Sequence, residues 1–89
     1  MKTSQIRISG KVQGVYFRAS AKQQAQNLGV VGYVKNQQDG TVLLEVEGDD
    51  DAVGQMVKWC KQGPALARVK DVEVKQELAK NFVSFDIKK

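Results

Sequence analysis

Between Gly10 and Arg18 the chain reads GKVQGVYFR, with two glycines, a cation near either end and no acidic group. Glycines let successive backbone N–H groups turn towards one point without a Cβ in the way, and such concave runs of N–H groups bind anions. A helix starting where this stretch ends adds its own unpaired N–H groups and the positive end of its dipole. The planar fork of Arg18 can grip two oxygens of one anion. These residue types specify a small cradle for a phosphate or a carboxylate. No Gly-Lys-Ser/Thr follows, so the stretch is not a Walker loop, and there is no GxGxxG dinucleotide fingerprint. On chemistry alone, a plain strand-to-helix turn with an exposed arginine explains it equally well.

The elements around the cradle are legible from periodicity. Lys2 to Ser9 alternates, with Ile6 and Ile8 on one face and Arg7 on the other, which predicts a first strand. Phe17, Ala21, Ala25 and Leu28 recur at spacings of three and four, which predicts a helix stopped by Gly29. Val30 to Asn36 and Thr41 to Glu47 read as a hairpin around an Asp39-Gly40 turn. Asp49, Asp50 and Asp51 open a second helix with the apolar stripe Val53, Met56, Val57 and Cys60, ended by Gly63-Pro64. Arg68 to Val74 alternates as a fourth strand. Phe82 to Ile87 alternates again and reads as a fifth strand or an edge extension.

The order βαββαβ predicts an α+β, ferredoxin-like sandwich, an antiparallel sheet with two helices on one face, formed by a single domain of residues 1–89. In that topology the first and second strands run parallel with the third between them. Their carboxyl ends share a rim, so the cradle is expected beside Asn36. That is the juxtaposition a small active site needs.

Composition narrows the chemistry further. Eighty-nine residues suffice for one compact domain. No run approaches the roughly 20 apolar residues of a membrane span, and MKTSQIRIS has no signal-type apolar core, so a cytoplasmic location is the expectation. Histidine is absent, which removes the usual general acid–base and the commonest metal ligand. The net charge of +4 is spread along the chain without a dense basic tract. Cys60 is the only cysteine, and Arg68 lies too far on for the Cys-x5-Arg loop of cysteine-dependent phosphatases. A buried, inert thiol on the helix stripe is expected.

GKVQGVYFR closely resembles a signature of the acylphosphatase family, commonly Gly-Arg-Val-Gln-Gly-Val-x-Phe-Arg. GVVGYVKNQQDGTV, Gly29 to Val42, resembles that family's second block, Gly-x-x-Gly-x-Val-x-Asn-x-x-x-Gly, and the likeness continues through Glu45-Val46-Glu47-Gly48, Gly63-Pro64 and Ala67-Arg68-Val69. The resemblance implies hydrolysis of the carboxyl-phosphate bond of acyl phosphates by in-line attack of a water. It implies that Arg18 binds the phosphate with backbone N–H groups of Val12, Gln13, Gly14, Val15, Tyr16 and Phe17, and that Asn36 holds the water. No metal or other cofactor is implied, the partner is a small acyl phosphate with neither nucleic acid nor membrane, and the family suggests a monomer. The acyl group is expected to project towards solvent. Three departures stand out: Lys11 replaces a frequent Arg, Tyr16 occupies a position often held by Gly, and the C-terminal FDIKK lacks the usual final Arg or Tyr.

The alternative is a catalytically inactive module of the same fold, sensing phosphate or another anion, or binding RNA. RNA-binding modules place paired aromatics on the central strands, where this sequence offers Ile6, Ile8, Val42, Leu44 and Val46. Both Arg18 and Asn36 are intact, which favours the enzyme.

Overall fold

In the computed structural model, which describes residues 2–88, the elements run β1 (Lys2–Lys11), α1 (Phe17–Leu28), β2 (Val31–Asn36), β3 (Val42–Glu47), α2 (Asp50–Gln62), β4 (Arg68–Leu78) and β5 (Phe85–Lys88). One sheet holds all five strands in the order β4-β1-β3-β2-β5. The expected ferredoxin-like sandwich is present, with its β4-β1-β3-β2 pairs antiparallel. The fifth strand is real and joins β2 in parallel.

The alternation within β1, β2 and β3 sends Ile6, Ile8, Val34, Val42, Leu44 and Val46 towards the helices. There they meet Phe17, Ala21 and Ala25 of α1 and Met56 and Cys60 of α2 in one buried core. Phe17 anchors the start of α1 by an edge-on contact with Trp59 of α2, ring centroids 5.3 Å apart. Burial pushes the Cys60 thiol up to about 12, so it is inert as a nucleophile, as the sequence suggested.

The residues weighed above as an RNA platform therefore lie on the wrong face: they are core. The opposite face of the central strands carries Gln5, Arg7, Leu43 and Glu45, again without an aromatic. It is also crossed by a strap, residues 79–84, that carries the chain from β4 at one edge to β5 at the other. Glu47 pins the strap: it accepts from Thr3 Oγ1 and from the backbone N–H groups of Lys80 at 2.5 Å, Asn81 at 3.3 Å and Phe82 at 3.1 Å. Glu45 accepts from Lys80 Nζ at 2.5 Å and from the Tyr33 hydroxyl at 2.6 Å. Phe82 meets the Tyr33 ring edge-on. Burial opposes ionisation of both glutamates, and these donors outweigh it, holding both carboxyls below their ordinary value. The strap matters for function because it delivers β5 to the side of β2.

Candidate active site

Register brings the two sequence motifs together. Ile8 of β1 and Asn36 of β2 both lie opposite Val42 of β3. Two strand spacings separate them, about 10 Å, with their side chains on the helix side of the sheet. β1 then breaks register at Ser9/Gly10. A Cβ on Gly10 would sit 2.2 Å from the Arg68 carbonyl oxygen, so only glycine allows this bulge against β4. The chain turns back over the rim through Gly14, at φ 73, and Tyr16, at φ 64, before α1 begins.

Gly14 has open space where a Cβ would point, so its requirement is the left-handed backbone alone. Tyr16 adopts the same region without being glycine, at a cost of about 1–2 kcal/mol, and its side chain is 76% exposed. Among the described residues, none of the backbone N–H groups from Val12 to Ala19 donates to another group of the chain, and Ser20 is the first to find a carbonyl, that of Tyr16, at 3.0 Å. No acidic residue occupies the first turn of α1, and no carboxylate among the described residues pairs with Arg18. The guanidinium and these N–H donors are left without partners among the described residues.

An open pocket of about 490 Å³ is lined by Val12, Gly14, Tyr16, Phe17, Arg18, Ala19, Asn36 and Ile87. Arg18 and Asn36, expected together from topology, do share it. Of the six loop residues expected around the anion, Val12, Gly14, Tyr16 and Phe17 line the pocket; Gln13 and Val15 do not. Val15 is buried in the core. The Gln13 amide turns away and donates to the carbonyls of Gln37 at 2.8 Å and Thr41 at 2.9 Å. It ties the loop to the β2–β3 turn, so its side chain supports the loop. Asp39 is a turn residue: it accepts from the Thr41 N–H at 3.0 Å and pairs with Arg7 at 2.6 Å.

Asn36 carries the most telling local feature. Its Oδ1 is buried and has no hydrogen-bond partner among the described residues. A buried acceptor without a donor costs free energy, a cost that nothing else in the fold around Asn36 explains. Ile87 was missed by sequence reading. It reaches the pocket because β5 pairs with β2 in a register that sets it beside Val34; the alternation of Phe85 and Ile87 was the available signal, but not the partner strand.

Fold and site together define a small α+β domain with an open pocket between a helix N-terminus and a strand end. Its sequence matches the family model Acylphosphatase over residues 4–87. It is similar to an acylphosphatase of Pelotomaculum thermopropionicum, 48% identical over 81 residues that cover 90% of this chain and 88% of that one. An acylphosphatase of Nocardioides sp. is 45% identical over 83 residues, 93% of this chain and 84% of the relative. The crystal structure of acylphosphatase from Bacillus subtilis superposes with a TM-score of 0.96 at 31% identity, covering 100% of both chains. The chain belongs to the acylphosphatase family.

Proposed function

We propose that Arg18 and the N–H groups of the Val12–Phe17 loop hold the phosphoryl group of an acyl phosphate while Asn36 orients the attacking water. The reaction is that of the family: hydrolysis of the carboxyl-phosphate bond to a carboxylate and inorganic phosphate. The observation that supports this assignment is the shared pocket, lined by Arg18, Asn36 and four residues of the loop whose N–H groups have no partner among the described residues.

Phosphoryl transfer needs mainly positioning and stabilisation of charge on the equatorial oxygens. The guanidinium and the N–H groups supply that charge stabilisation without reorganising. The side-chain amide of Asn36 holds the water by a hydrogen bond, in line with the bond that breaks at phosphorus. The water oxygen bonds to phosphorus, the bond to the carboxyl oxygen breaks, and the water proton passes to a phosphoryl oxygen. The leaving carboxylate is stable as an anion, so no general acid is needed and the lack of histidine is no obstacle. This chemistry calls for no metal.

We read the working unit as a monomer of a single domain, as the family resemblance suggests. Among the described residues no helix is long and apolar enough to cross a membrane, and we read the location as cytoplasmic. The strap laid across the sheet face occupies the surface that RNA-binding modules of this fold use.

The test is phosphate release from acetyl and benzoyl phosphate with a chelator present, beside a simple phosphate monoester. Turnover of the acyl phosphates alone is expected. A folded protein that turns over neither would make the cradle a binding site only.

A further inference from the structure

The cradle accounts for the anion but not for the rest of its pocket. About 490 Å³ is in the range that holds a whole small-molecule ligand, and the lining outside Gly14, Arg18 and Asn36 is apolar: Val12, Tyr16, Phe17, Ala19 and Ile87. Val12 and Phe17 are buried in the core. Tyr16 and Ile87 are not: they are 76% and 42% exposed, and they stand on the same mouth from different elements. The Tyr16 hydroxyl makes no hydrogen bond among the described residues. Its ring is held at the mouth by a left-handed backbone that glycine or asparagine adopts far more readily. A strained residue at a functional pocket, presenting an aromatic ring to solvent, suggests a role for the ring itself.

We propose that Tyr16 and Ile87 form an apolar rim that takes the acyl part of the substrate, so that the protein selects acyl phosphates with an aromatic or branched apolar acyl group over those with a small polar or two-carbon group. The inference rests on the proposed reading of the anion site. It departs from the expectation of an acyl group simply facing solvent. With the phosphoryl group fixed at Arg18, the acyl group must leave along the pocket mouth, where the ring face and the Ile87 side chain are the apolar surface on offer. Burying an apolar acyl group there improves binding in ground and transition states alike, so the preference should appear chiefly in KM.

The experiment compares kcat/KM for benzoyl phosphate with that for acetyl phosphate, in the native chain and in Tyr16→Gly, Tyr16→Phe, Ile87→Ala and Ile87→Leu. The benzoyl-to-acetyl ratio is expected to fall by about three- to tenfold in Tyr16→Gly and in Ile87→Ala, the size of one aromatic or methylene contact. It should hold in Tyr16→Phe, which keeps the ring, and in Ile87→Leu, which keeps the apolar bulk. An unchanged ratio in Tyr16→Gly and Ile87→Ala would overturn the rim. So would an equal loss on both substrates in Tyr16→Gly, because the residue would then act on the loop backbone. A native chain inactive on both substrates would instead overturn the reading of the anion site, and the rim with it.

Discussion

Replacing Asn36 by alanine should make this protein more stable and abolish its activity. The buried Oδ1 without a donor costs about 1–3 kcal/mol. Alanine removes that acceptor and with it an amide that has little apolar surface of its own to lose. The truncated side chain faces an open pocket, so no sealed cavity follows. Allowing for some lost packing, the net gain is about 1 kcal/mol, which in a domain of this size raises the unfolding midpoint by roughly 4–8 °C. Thermal unfolding followed by circular dichroism measures this directly. Inorganic phosphate should protect the variant as it protects the native chain, because Arg18 and the loop N–H groups are untouched. Acetyl phosphate hydrolysis should be lost. A lowered midpoint with activity retained would refute the reasoning, since Asn36 would then be a structural residue whose amide finds its partners within the fold.

Three further outcomes follow from the same geometry. Arg18→Ala should lower turnover by at least about 10²-fold, the typical loss of one preorganised donor, and should abolish thermal protection by phosphate; Arg18→Lys should recover only part, because an ammonium cannot present the two-pronged fork. Gln13→Ala removes the hydrogen bonds to Gln37 and Thr41, worth about 2 kcal/mol together, so the unfolding midpoint should fall by about 8–16 °C and KM for acetyl phosphate should rise as the loop loosens. Glu45 and Glu47 bind protons less readily folded than unfolded, so their contribution to stability is complete above their ordinary value of 4.5 and is lost as the pH falls through the lower folded values. Acid titration of the unfolding midpoint should show this fall below pH 4.5, and Glu47→Gln should flatten it; an identical acid profile in that variant would count against the pinning role.

The parts of the site set by nearby sequence were the legible ones. The apolar spacing of Phe17, Ala21 and Ala25 marked α1 with its observed ends, and the two glycines with Arg18 marked the cradle. Asn36 could be placed beside it from strand order alone, since β3 pairs with both β1 and β2 and leaves their ends on one rim. What escaped depends on partners far along the chain. The segment from Phe82 to Ile87 alternates throughout, yet only Phe85–Lys88 pairs as a strand. The Phe82 ring goes to Tyr33 and its N–H to Glu47, contacts that periodicity does not encode. Nor did the hairpin pattern show that all six residues of β3 are buried, because the strap supplies Glu45 and Glu47 with the donors that make burial tolerable.

These two misses are connected, and the connection bears on function. The carboxylate of Glu47 holds the strap on the open face, at the end of the sheet remote from the cradle. Only a chain so fixed returns in register to pair Gly32 with Phe85 and Val34 with Ile87. Ile87 then reaches the mouth of the pocket from a strand four residues long, too short to find its place by its own pairing. The anion-binding half of the site is thus local, built from one loop and one helix end. Its apolar half depends on a buried carboxylate on the far side of the sheet, so the two halves should respond differently when Glu47 is replaced. In Glu47→Gln, phosphate protection should persist while the benzoyl-to-acetyl preference declines. Equal loss of both would show that the strap supports the cradle as well.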